Sequence, residues 1–235
     1  NWHHTDPSVY QSLPPVRYPC WVGLSRSHAE NLSRAYKVPV KFVYNGIDLD
    51  FYKNNGRPRG GRYLFMGRYT PEKAPLDLIG LAKRLRIGLD LYGDTEIVGN
   101  QDYVRRCFQE ADGYFVRAYK GISREATVDA FSTHKALLQW LNWDEPFGLV
   151  VCEAMACGCP PIVARRGAMP ELIKNGETGF LLDNLDEIAN IIETGKVGEL
   201  KTEVMRKWVE RKFSLERFVS SWNDLLLRVV AGERW

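Results

Sequence analysis

No apolar run in this 235-residue sequence approaches the ~20 residues needed to cross a bilayer. No secretory signal is legible either. Charge of one sign is scarce as well: a formal +3 is too mild to mark a dedicated nucleic-acid binder. Cysteine is present five times, but Cys20, Cys107, Cys152, Cys157 and Cys159 are odd in number and scattered, unlike a disulfide framework. Cys157-Gly-Cys159 has no second close Cys/His pair, so a structural zinc site is not expected. These absences lead us to expect a cytoplasmic protein of a reducing compartment, with free, buried thiols. Neither Gly-x-Gly-x-x-Gly nor a P-loop occurs, so nothing supports a dehydrogenase or a P-loop NTPase. Basic clusters at Arg57-Pro-Arg59 with Arg62, and at Lys83-Arg84 with Arg86, read as solvated faces; peripheral contact with an anionic membrane is their minority use.

What is present is a repeated strand, turn and helix. After a Pro- and aromatic-rich start, Trp21 to Leu24 is a short apolar stretch, and Ser25 or Ser27 can cap a helix to about Tyr36. Val40 to Tyr44 alternates like a strand and stops at the turn Asn45-Gly46. Lys53 to Gly61 reads as a linker. Strands are then expected at 62–66, 89–92, 114–119, 136–141, 161–164 and 179–182. Helices are expected at 71–85, 102–110, 149–157, 185–192 and 201–211. Short buried strands alternating with helices predict an α/β fold, a Rossmann-like parallel sheet with helices on both faces. Ser214 to Val230 repeats apolar residues at helical spacing and predicts a long amphipathic helix.

Ligands of an open parallel sheet sit beyond the carboxyl ends of its strands. The first long-sheet strand is followed by Gly67-Arg68-Tyr-Thr-Pro-Glu72-Lys73, which brings two cations to a helix N-terminus, where an anion is favoured. A later strand is followed by Asp144-Glu145-Pro-Phe-Gly148, and the next helix carries Glu153. Gly148 permits close backbone approach, and the carboxylates can accept from hydroxyl groups. A glycosidase acid/base pair is the rival use of two glutamates, but it must flank one bond, which is hard to arrange with one partner inside a helix. Asp48-Leu-Asp50 looks like an Asp-x-Asp metal motif but follows a turn, and no metal is expected.

Together Ser25-Arg-Ser-His, Asn45-Gly-Ile-Asp48, Gly67-Arg68 with Glu72-Lys73, Glu145-Pro-Phe-Gly-Leu-Val-Val-Cys-Glu153, Pro170-Glu171-Leu-Ile and Asn175-Gly-Glu-Thr-Gly-Phe180 carry a resemblance. From about Val22 onward the chain resembles the retaining glycosyltransferases of the family 4 type, which have the two-domain GT-B fold. The resemblance implies a hexose transferred from a UDP-, GDP- or ADP-sugar to an unidentified acceptor, with no required metal or cofactor. It implies that Arg68 and Lys73 clamp the donor diphosphate and that Glu145 holds sugar hydroxyls. Phe147, Gly148 and Leu149 would offer backbone N–H groups, and Glu153 would accept from the ribose. Gly67 would admit the donor, and Tyr119, Lys120 and Ile122 would border the base. Ala168 departs from the second Gly of many relatives. His4, with His3 beside it, is a candidate sugar contact.

The resemblance also divides the chain. Residues 1–52 would be the tail of an acceptor-side domain and hinge, 53–61 a linker, 62–212 the donor domain, and 213–235 a helix returning to the first domain. That tail cannot hold an acceptor site, and the chain begins at Asn1 rather than Met. We therefore expect the C-terminal part of a longer enzyme, or a partner chain that supplies the missing domain. A nucleotide-sugar-binding module without activity of its own is the alternative.

Overall fold

The computed structural model describes residues 20–95 and 100–235. Its opening unit is strand β1 (Trp21–Gly23), helix α1 (Arg26–Tyr36) and strand β2 (Val40–Phe42), with β1 and β2 paired in parallel. Ser25 is the cap: its Oγ accepts from His28 N at 3.0 Å, meeting one of the free N–H groups of the first turn.

The larger sheet contains β3 (Tyr63–Met66), β4 (Leu89–Gly93), β5 (Val116–Lys120), β6 (Leu137–Gln139), β7 (Pro161–Ala164) and β8 (Phe180–Leu182). All pair in parallel, in the order β5-β4-β3-β6-β7-β8 among the described residues. Counted from β3, this is the 3-2-1-4-5-6 order of a doubly wound Rossmann sheet, whose direction of winding reverses between β3 and β6. Tyr63 and Phe65 face one hydrophobic cluster and Leu64 the other; Leu138 and Leu137 divide in the same way. Burial on both faces is why β3 and β7 are continuous apolar runs.

Helices α2 (Pro75–Leu85), α3 (Gln101–Glu110), α4 (Arg124–Thr133), α5 (Leu149–Ala156), α6 (Met169–Leu172), α7 (Leu185–Glu193) and α8 (Thr202–Phe213) cover the sheet. Two of them correct the expectations. The helix expected from Pro71 begins at Pro75, because Ala74 is left-handed (φ 48°) and Glu72 O accepts instead from Asn142 N at 2.8 Å. Helix α4 was not expected: its sequence has little amphipathic pattern, yet Ala130 and Phe131 are buried in the core. Residues 53–61 are irregular but not free. Asn54 Nδ2 donates to Cys157 O at 2.9 Å, and Arg59 donates to Phe131 O and His134 O at 2.8 Å each.

Helix α9 (Leu215–Val230) follows α8 with only Ser214 between them, and the residues flanking it reach back to the start of the chain. Ile47 N donates to Phe213 O at 2.7 Å, Lys41 pairs with Glu233, and the indole of Trp235 donates to Trp21 O at 2.8 Å. Val219, Leu226, Leu227 and Val230 of α9 remain exposed. The basic clusters are engaged within the chain: Arg57 pairs with Asp129, Arg62 with Asp90, Lys83 with Glu110 and Arg84 with Asp186. All five cysteines are free; Cys107, Cys152, Cys157 and Cys159 are buried and Cys20 is partly buried. Among the described residues, no helix is long and apolar enough to cross a membrane.

Candidate functional site

A cleft of about 360 Å³ opens at the winding reversal, bordered by the loops after β3 and β6 and the start of α5. Each loop is fixed from below. After β3, Tyr69 is fully buried, and its one hydroxyl proton is shared between Tyr119 O (2.7 Å) and Leu91 O (3.0 Å), fastening the loop to β4 and β5. Gly93 allows the approach, since a Cβ there would lie 2.1 Å from Gly67 O. With Tyr69 turned inward, Arg68 and Lys73 line the cleft.

The loop after β6 is held by Gln139, whose amide donates to Met66 O at 2.8 Å and joins the two strand ends. Its Glu145 accepts through the backbone O from Ala168 N at 2.9 Å. This close passage needs Gly167, which is left-handed (φ 55°) and whose Cβ would meet Glu145 N at 2.3 Å. The difference at Ala168 therefore leaves the turn in place: Ala168 has an ordinary backbone and is fully buried.

The Glu145 side chain forms an ion pair with Lys73 in which the two are only 13% and 14% exposed. Gly148, at φ 102°, precedes α5 and no side chain caps that helix, so its first N–H groups, at Leu149 and Val150, border the cleft. Arg68 is more exposed (38%) and 4.0 Å from Glu72. Two cations beside an uncapped helix N-terminus make an anion site, and Glu145 adds an acceptor for a hydroxyl group next to it.

Gly67, Arg68, Lys73, Glu145, Phe147, Gly148 and Leu149 thus share one cleft. The other expected residues are not among those that line it. Tyr119 stacks on Tyr92 (ring centroids 4.8 Å apart), Ile122 packs on the core, and Lys120 lines a separate depression with Thr95 and Phe108. His4 lies outside the described residues.

Glu153 sits inside α5, hydrogen-bonded to Tyr52 and close to Arg124. Burial raises its pKa above the usual carboxylate range, and the Tyr52 hydrogen bond and Arg124 offset this only in part. A carboxyl raised in this way stabilises the fold fully below its unfolded pKa, and that contribution is lost as pH rises through the folded value. Glu153→Gln is therefore expected to raise the melting temperature near neutral pH. A thermal scan at pH 7 showing destabilisation would contradict this.

Trp143, which also lines the cleft, was not among the expected residues; its position two residues before Glu145 was the available signal. Among the described residues, no group of three or more His, Cys, Asp or Glu is placed to hold a metal ion. Asp48 instead closes a turn, accepting from Phe51 N at 3.0 Å.

Sheet order and cleft together define an α/β domain of the kind found in GT-B glycosyltransferases. The chain belongs to the family described as glycosyl transferases group 1, whose model matches residues 49–210. Among its relatives, a 41.2 kDa protein from the cps region of Klebsiella pneumoniae is 25% identical over 198 residues, covering 79% of this chain and 51% of the relative. A D-inositol 3-phosphate glycosyltransferase of Mycobacterium sp. strain KMS is 29% identical over 176 residues, covering 66% of this chain and 38% of the relative. The chain thus spans about half or less of the length of these relatives. In fold it is similar to Anabaena HepE, solved in complex with UDP-glucose, with a TM-score of 0.75 at 21% identity over 89% of this chain and 64% of that one.

Proposed function

We propose that residues 62–212 are the donor domain of a retaining glycosyltransferase that moves a hexose from a nucleoside-diphosphate sugar to an acceptor. Residues up to 52 and the final helix then belong with an acceptor-side domain. One observation carries this proposal: the Lys73–Glu145 pair and Arg68 line one cleft with the uncapped N-terminus of α5, where the sheet reverses. A diphosphate satisfies the cations and the free N–H groups, and an attached sugar places hydroxyls at Glu145. Glu153, on the same helix, accepts from the ribose hydroxyls, as the family resemblance implies. The UDP-glucose complex of HepE supports a UDP-sugar as the first donor to try.

In this reaction the bond between the anomeric carbon and the diphosphate oxygen breaks, and negative charge grows on the departing nucleotide. Lys73, Arg68 and the helix N–H groups neutralise that charge as it develops, which is where fixed electrostatics lower a barrier. The acceptor hydroxyl adds from the same face, and its proton passes to the leaving phosphate oxygen, so the anomeric configuration is kept.

The test pairs calorimetric titration of the chain with UDP-, GDP- and ADP-sugars with turnover of the labelled donor by the full-length protein. Saturable binding of one series followed by transfer with retained configuration is expected. Binding without turnover would leave a non-catalytic nucleotide-sugar module, and no binding of any series would overturn the proposal.

A further inference from the structure

Glu145 Oε2 accepts twice: from Lys73 Nζ, and from the indole N–H of Trp143 at 3.2 Å. The same indole also holds the lysine, with Lys73 Nζ 5.0 Å from its ring centroid. One side chain therefore grips both members of the ion pair, the carboxylate through its N–H edge and the ammonium through its π face. Among the described residues, no hydrogen bond is made to the other carboxylate oxygen, Oε1. All three residues line the cleft.

We infer that Trp143 is a positioning residue for the transferred sugar, fixing Glu145 so that Oε1 is presented to a sugar hydroxyl while Lys73 stays directed at the diphosphate. The inference rests on the donor-binding role proposed for this cleft. Its physical basis is competition within the pair. A lysine alone beside a glutamate can draw the carboxylate round and occupy both oxygens, because an ammonium has three donors and no fixed direction. A directional N–H on Oε2 opposes that rotation, and the ring face provides the ammonium with a second, non-exclusive partner. The carboxylate then remains an oriented acceptor and the lysine retains donors for phosphate. A preset acceptor orientation lowers the ordering cost when a sugar binds.

The two grips can be removed separately. Trp143→Phe keeps a ring face for Lys73 and deletes only the N–H; Trp143→Leu removes both. Calorimetry on the 235-residue chain would compare each nucleoside diphosphate with its sugar: UDP with UDP-glucose, GDP with GDP-mannose, ADP with ADP-glucose. For the pair the unaltered chain binds, Trp143→Phe is expected to weaken the sugar nucleotide roughly tenfold, the scale of one hydrogen bond to a charged group, and to leave the nucleoside diphosphate within about twofold. Trp143→Leu is expected to weaken both. A residue serving only the fold would lower the melting temperature and move both ligands together in either variant.

If the unaltered chain binds a pair but Trp143→Phe retains its sugar-to-nucleotide affinity ratio, the positioning role is overturned and the donor cleft stands. If the unaltered chain binds none of the six ligands, the proposed function fails, and this inference with it.

Discussion

Replacing Lys73 by alanine is expected to lower turnover of the full-length protein at least ~100-fold, the scale of losing one preorganised electrostatic contact at a centre of developing charge. Glu145→Ala should have an effect of similar size. The structure separates these two residues from Arg68. Lys73 and Glu145 are largely shielded from water and held to each other and to Trp143, whereas Arg68 is 38% exposed and 4.0 Å from its nearest carboxylate. A shielded, oriented charge interacts more strongly with a developing charge than a solvated one does. Arg68→Ala should therefore cost less, about tenfold.

The effect of Lys73→Ala should fall mainly on kcat, since the charge on the departing nucleotide is largest in the transition state. Removing the lysine also leaves Glu145 with a single hydrogen-bond donor, so melting temperatures must accompany the kinetics. Near-normal rates in a folded Lys73→Ala protein would refute the role proposed for it.

The second large effect is expected at Gly167. An added Cβ would lie 2.3 Å from Glu145 N and 2.4 Å from Glu145 O, both backbone atoms that cannot swing aside. It would also carry the cost of a left-handed conformation, at φ 55°. Gly167→Ala should lower unfolding stability by about 3 kcal/mol, combining ~1–2 kcal/mol for the backbone conformation with ~1–3 for overpacking. Gly176→Ala is the control, with φ 78° but nothing within 4 Å of the added carbon, so it should cost only ~1 kcal/mol. Urea unfolding of both measures the difference. Equal losses would show that the 166–168 turn can yield without disturbing Glu145. A larger loss in Gly167→Ala together with weaker sugar-nucleotide binding would tie the turn to the cleft.

Much of the fold was legible because its signals are local. Pro161 to Ala164 is buried on both faces, so its sequence is a continuous apolar run, and the expected strand matches the observed one. Ser25 offered a cap next to a helical pattern, and it caps α1. Helix α4 was missed for the same reason in reverse. Its Thr127, Val128, Ser132 and Thr133 are weak helix formers with little apolar period, and packing of Phe131 into the core overrides them. Pro71 and Pro75 both suit a first turn. What selects Pro75 is a hydrogen bond from Asn142, 70 positions beyond Glu72, which no local pattern contains.

The candidate site divides in the same way. By itself the sequence determined which residues have the chemistry: cations after one strand, a carboxylate and a glycine after another, and a second carboxylate one helix later. Only the tertiary structure decided which of them share a cleft. Strand order sets β3 beside β6, and that places Lys73 on Glu145 across 72 positions while leaving Lys120 in a different depression. It also brought in Trp143, whose N–H and ring acquire partners only when the two loops meet. The physical reason is reach. Backbone periodicity and capping act over a few residues, whereas a bond between side chains on separate loops depends on how the sheet winds.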